Sequence, residues 1–100
     1  MSDINIVAVR EILDISAPKD CKVIYLNDNE TSFEFVQGSL MQYFDYEETS
    51  AKDKTLEIHD AGSSVVAVLP FEIAEQRGVE VLVSARHNGF PTFEIKLEQE

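Results

Sequence analysis

Ser64-Val65-Val66-Ala67-Val68-Leu69-Pro70, leading into Phe71-Glu72-Ile73-Ala74, is the stretch on which the fold turns. Val65 to Leu69 is an unbroken apolar run rich in β-branched residues, and it is short enough for a strand. Pro70 then suits the first turn of a helix, where its missing N–H costs nothing. Ile73, Ala74, Arg77, Gly78, Val81, Leu82 and Ala85 recur at intervals of three and four, the strongest amphipathic signal in the chain. His87-Asn88-Gly89 ends that helix and Phe90-Pro91 turns the chain. Beyond the turn, Phe93, Ile95 and Leu97 alternate with Thr92, Glu94 and Lys96, as in a strand with one buried face. Strand, helix and strand in that order make one βαβ crossover.

Upstream, Lys22-Val23-Ile24-Tyr25-Leu26 reads as a buried strand, halted by Asn27-Asp28-Asn29-Glu30. Thr31-Ser32-Phe33-Glu34 has the form of a capping box with Thr31 as the cap. The helix it would open carries Phe33, Val36, Leu40 and Tyr43 or Phe44 on one stripe, with Gly38 as a weak point. Asp45-Tyr46-Glu47-Glu48 puts acids at the positive end of a second helix running to about Asp60. Ala51, Thr55, Ile58 and His59 share its stripe, Leu56 lies beside it, and Gly62 suits a left-handed stop. The expected fold class is α+β: a small three-stranded sheet covered by three helices, in the order β-α-α-β-α-β. Residues 1–20, closed by Ala17-Pro18-Lys19-Asp20, are expected to be a partly ordered leader, and residues 21–100 the domain.

The 100 residues are 44% hydrophobic, enough for a single modest core. With 19 acids against 8 bases the formal net charge is −11, which argues against nucleic acid and against an anionic membrane surface. It suits cationic ligands. No apolar run approaches the roughly 20 residues of a membrane span, and residues 1–20 lack the pattern of a signal peptide. One cysteine, Cys21, cannot close an intrachain disulfide and fits a reducing compartment, so a cytoplasmic location is expected. One Cys and two His give no metal spacing, and a monomer without cofactor or metal is expected.

The loop Asn27-Asp28-Asn29 lies between a strand end and a helix start, a rigid mount for exposed side chains. These residues also favour turns for local hydrogen-bonding reasons. His59 could be a core histidine or a functional one, and His87 at a helix end fits the dipole. Catalysis lacks support. Cys21 lies about 23 Å from Asp28 along a straight strand, and no nucleophile accompanies a His59–Asp28 pair. No phosphate-binding or hydrolase motif occurs.

The string Lys22 to Val36 resembles the ClpS adaptor family, whose pattern is a K-V strand followed by N-D-D-x-T-x-M-E-F-V. The resemblance continues through Ile58-His59-Asp60-Ala61-Gly62, Val65 to Val68, Glu72-Ile73-Ala74-Glu75, Ala85-Arg86 with Pro91, and Leu97-Glu98. It implies the same α+β fold and an adaptor rather than an enzyme. Members bind proteins that begin with a bulky hydrophobic residue, an N-degron, and deliver them to a Clp-family AAA+ unfoldase and its peptidase. By that resemblance Asn27, Asp28 and His59 hold the substrate's α-amino group. Phe33 stands where a gatekeeping Met is usual. Thr31, Val36, Gly38, Thr55, Ile58 and Thr92 line or flank the side-chain pocket. Glu72 and Arg77 match the surface that docks on the unfoldase's N-terminal domain.

The chemistry is coherent. An α-amino group has a pKa near 7.7–8.0 and is mostly a cation with three donors at neutral pH. A carboxylate, an amide oxygen and a neutral ring nitrogen are three suitable acceptors. The chain departs from the family at Asn29, which replaces a common Asp, and at Phe33. Gly38, Thr55 and Thr92 replace larger apolar residues, which would widen the pocket and favour Tyr, Trp or Phe over Leu. The leader is shorter and more apolar than the family's usual extension. An alternative is a modulator that keeps the unfoldase dock with an altered or lost pocket.

Overall fold

The computed structural model describes residues 20–100. Six elements follow in the expected order: β1 (Asp20–Leu26), α1 (Phe33–Phe44), α2 (Glu48–Ala61), β2 (Ser63–Pro70), α3 (Phe71–His87) and β3 (Ile95–Gln99). The sheet order is β2-β1-β3, and both neighbours run antiparallel to β1. β2 and β3 are therefore parallel to each other, and α3 carries the chain across β1. The fold is α+β, with three strands and three helices. Residues 1–19 of the expected leader lie outside the described residues, and Asp20 already belongs to β1.

The core forms where the inward face of the sheet meets the helices. Cys21, Val23 and Tyr25 alternate inward on β1, joined by Ile95 and Leu97 of β3 and by Ala74, Val81, Leu82 and Ala85 of α3. On β2 the inward phase shifts midway. Val23 pairs with Ala67 but Ile24 pairs with Val65, so Val66 is an extra residue, a β-bulge. Tyr46 serves this bulge, its hydroxyl donating to Val66 O at 2.6 Å. Tyr25 is fully buried, and its ring meets Phe93 edge-on at 5.1 Å and Phe44 at 6.1 Å. Ser39 Oγ donates to Val36 O, so the 2.7 Å contact between the two hydroxyls is one in which Tyr25 donates. Burial pushes the Tyr25 phenol well above its ordinary range.

Local readings are corrected in four places. Ser32, not Thr31, caps α1: it has extended backbone and its Oγ accepts from Phe35 N at 3.1 Å. Thr31 is diverted because its hydroxyl and its N–H both go to Asp28. The second helix starts at Glu48, because Asp45 adopts the left-handed conformation (φ 60°) and closes α1, with Tyr46 N–H donating to Leu40 O at 3.2 Å. Pro70 is the last residue of β2 and precedes the first helical turn instead of entering it. β3 begins at Ile95, since Phe93 N closes a turn on Phe90 O, although Phe93 keeps its inward phase. Of the α3 stripe, Ile73 is exposed and Arg77 half-buried.

Candidate functional site

At the C-terminal end of β1 the chain leaves the sheet through Asn27 and turns at once. Thr31 N–H donates to Asp28 O at 3.2 Å, closing a four-residue turn that presents Asp28 and Asn29. A second segment is brought to the same place by Gly62. Its φ of 91° is a left-handed stop, and its N–H donates to Ile58 O at 2.9 Å, ending α2. Gly62 O then accepts from Asn27 N–H at 2.9 Å. The last turn of α2, which carries His59, is thus pinned beside the loop that carries Asn27 and Asp28.

Between them lies a cavity of about 400 Å³. Its polar lining is Asn27, Asp28, Asn29, Thr31, Thr55 and His59, and its apolar lining is Leu26, Phe33, Val36, Leu56, Ile58 and Phe93. Exposure sorts these by depth: Val36, Thr55, Ile58 and Phe93 are buried, whereas Asn27, Asn29 and His59 are exposed. The deep part is therefore apolar and the mouth polar. Asp28 is the one carboxylate among the described lining residues, and no Lys or Arg lines the cavity with it. A cation with an apolar appendage matches that division.

Asp28 is held from two sides. Thr31 Oγ1 donates to its Oδ2, and so does Thr92 Oγ1 at 2.8 Å, from a residue 64 positions away. Among the described residues Oδ1 has no hydrogen-bond partner, which leaves its lone pairs for a ligand. Thr55 spends its hydroxyl proton on Ala51 O at 2.7 Å, so it offers the cavity no donor.

The structure brings together Asn27, Asp28, His59, Thr31, Phe33, Val36, Thr55 and Ile58. Gly38 and Thr92 are not in the cavity wall. Gly38 sits on an open face of α1, where an added Cβ would meet nothing within 4 Å. Thr92 reaches Asp28 instead of the apolar lining. Leu26, Leu56 and Phe93 complete the wall, and of these three the strand alternation in the sequence marks Phe93 as inward-facing. Glu72 (exposed) and Arg77 (half-buried) lie on α3, outside the cavity, and Arg77 donates to Glu80 at 3.3 Å. Cys21, 1% exposed at the other end of β1, takes no part, and burial, then Asp20, push its thiol above its ordinary range. Among the described residues no His, Cys, Asp and Glu group could hold a metal, and no helix is long and apolar enough to cross a membrane.

Comparison with known proteins gives one consistent answer. Residues 16–93 match the model of the family described as ATP-dependent Clp protease adaptor protein ClpS. The ATP-dependent Clp protease adapter protein ClpS of Nautilia profundicola is 37% identical over 83 residues, covering 83% of this chain and 86% of the relative. The protein of that name from Campylobacter jejuni is 37% identical over 86 residues, covering 86% of this chain and 88% of the relative. Among solved structures, Agrobacterium tumefaciens ClpS2 bound to L-phenylalaninamide superposes with a TM-score of 0.79 at 34% identity, covering 84% of this chain and all of that one.

Proposed function

This chain belongs to the ClpS family of Clp protease adaptors, and we propose that it recognises the first residue of proteins that begin with a bulky hydrophobic or aromatic side chain and delivers them to a Clp-family AAA+ unfoldase. The observation that carries this reading is the cavity that unites Asn27, Asp28 and His59, from two distant segments, with a deep apolar lining. The first residue of a protein combines a cationic α-amino group with a side chain directly attached to the same carbon. The cavity has a carboxylate and further acceptors at its mouth and apolar walls beneath, so both parts of that residue are served at once.

In this reading Asp28 Oδ1 accepts a hydrogen bond from the ammonium, and the Asn27 amide oxygen and a ring nitrogen of His59 accept the others. Each charge-assisted hydrogen bond contributes about 1.5–3 kcal/mol. Burial of the first side chain against Val36, Ile58 and Phe93 adds about 1.5–3 kcal/mol. After the cost of association, micromolar binding, about −8 kcal/mol, is the expected scale. An internal peptide nitrogen carries one N–H and no charge, so chain interiors are rejected. L-Phenylalaninamide, the ligand bound in the Agrobacterium structure, combines a free α-amino group, an aromatic side chain and an amide in place of the next peptide bond.

Delivery is assigned to a separate surface: Glu72 and Arg77 on α3 stand away from the cavity mouth, which leaves both faces usable together. The binding half of the proposal is tested by titrating the protein with peptides that differ only in their first residue, each with a free or an acetylated N-terminus. Binding confined to free amines followed by aromatic or large aliphatic side chains is expected. A panel with no binder, beside intact association with an unfoldase N-terminal domain, would instead establish a modulator with an altered pocket.

A further inference from the structure

We propose that Thr92 is a positioning residue for Asp28, holding the carboxylate in the one orientation that leaves Oδ1 available to the incoming ammonium. The proposal rests on the reading of the cavity as an α-amino-group site, and it assigns Thr92 a role different from a pocket-wall residue.

The geometry is specific. Thr31 and Thr92 both donate to the same oxygen, Oδ2, one from 3 positions away and the other from 64. Two donors converging on one carboxylate oxygen restrict both rotations of the Asp28 side chain, and Oδ1 keeps its lone pairs. Thr31 belongs to the same four-residue turn as Asp28, so by itself it moves with the turn. Thr92 supplies an anchor that does not. Its neighbour Phe93 is buried, with ring contacts to Tyr25 at 5.1 Å and to Phe35 at 6.1 Å. On its other side Pro91 fixes its own φ, and Phe90 meets the Phe35 ring at 5.6 Å. The Thr92 hydroxyl is thus mounted on a segment tied to the core, although the residue itself is exposed.

An exposed hydroxyl whose hydrogen bond competes with water adds little to folding stability. Its value lies in preorganisation: a carboxylate already fixed loses less rotational freedom when the ligand arrives. Removing one of two anchors should therefore weaken binding modestly and leave stability unchanged. Thr92→Val keeps the shape and removes the hydroxyl, whereas Thr92→Ser keeps the hydroxyl.

The test uses the full chain and a peptide with a free N-terminal Phe, labelled with a fluorophore at its far end and followed by anisotropy. Thr92→Val should bind roughly three- to tenfold more weakly, within the range set by immobilising one side chain. Thr92→Ser should bind like the unaltered protein, and both variants should melt with it. In an Asp28→Ala background Thr92→Val should have no further effect. Equal affinity for Thr92→Val and the unaltered protein, or Thr92→Ser as weak as Thr92→Val, overturns the proposal. A ligand-free measurement separates it from the functional reading. The Hα–Hβ couplings of Asp28 by NMR should report one rotamer in the unaltered protein and in Thr92→Ser, and an average in Thr92→Val. If no peptide binds the unaltered protein, the functional reading falls. The couplings then decide Thr92 alone: averaging in Thr92→Val supports the clamp, and an unchanged single rotamer refutes it.

Discussion

Asn27 N–H donates to Gly62 O at 2.9 Å, so the residue that leaves the first strand is bonded to the residue that stops the second helix. That single backbone contact sets the loop bearing Asp28 against the helical turn bearing His59. Its geometry depends on the left-handed conformation of Gly62, at φ 91°. Gly62→Ala places a Cβ in that conformation at a cost of about 1–2 kcal/mol. For a domain of this size each kcal/mol lowers the melting temperature by about 4–8 °C. Thermal denaturation should show such a drop, and affinity for a Phe-first peptide should fall with it as the two halves of the site lose register.

Asp28 is the only carboxylate of the described cavity lining, so its removal cannot be covered by a neighbour. Asp28→Ala should weaken binding of a free-amine peptide by about 10- to 100-fold, the equivalent of one charge-assisted hydrogen bond. N-acetylation of the peptide should cost at least as much, since it removes the charge and two donors. Isothermal titration of both changes, singly and together, checks this. Weakening by the mutation of acetylated and free peptides alike would place Asp28 outside the amine contact.

The cavity is walled by Phe33, Phe93 and the small, internally bonded Thr55. Flat rings and a short side chain suit an aromatic guest better than a branched aliphatic one. Competition with otherwise identical peptides should rank Phe, Tyr and Trp ahead of Leu at the first position. Tightest binding to Leu would contradict this.

Glu57 joins the second helix to the second strand. It accepts from Ser64 Oγ at 2.6 Å and from Lys54 Nζ at 3.2 Å. The Ser64 hydroxyl first, then Lys54, holds its carboxyl below the ordinary value. A carboxylate with a lowered folded-state pKa stabilises the fold above its unfolded pKa, near 4.3, and the benefit disappears as pH falls through the lowered value. The stability difference between the native protein and Glu57→Gln should be constant from neutral pH down to about 5 and vanish in more acidic solution. Urea denaturation across that range measures it. A difference that persists undiminished at low pH would mean that the charge is not its source.

Much of the fold could be read from periodicity. The inward alternation of Phe93, Ile95 and Leu97 and the stripe Ala74, Gly78, Val81, Leu82 and Ala85 survive into the core because burial imposes those periods. Boundaries were harder, since they depend on competition among short polar side chains. Thr31 and Ser32 are equally plausible caps in isolation, and the choice falls to Ser32 because Asp28 takes the Thr31 hydroxyl. Asp45 in sequence fits a helix start, yet a left-handed stop is equally open to Asp. The bulge at Val66 leaves no mark in an unbroken apolar run.

The candidate site was legible where it follows the chain and obscure where it crosses it. Asn27 and Asp28 stand out as a polar break after a strand, and the resemblance to a known pattern joined them to His59. The link from Thr92 to Asp28 spans 64 positions and is made through a turn whose course no local signal fixes. Leu56, 42% exposed, lies beside the helical stripe, and it becomes a cavity residue because it lines the same cavity as Asn27.

Cys21 is sealed beneath the sheet, with 1% of its surface accessible. Its side chain faces the helices, so alkylating reagents can reach the sulfur only when the helices lift from the sheet or the sheet itself opens. The rate at which a maleimide consumes this lone thiol is therefore a built-in clock for opening of the core. Slower tagging with an occupied cavity would weigh, without any fluorophore, how firmly a guest braces the scaffold.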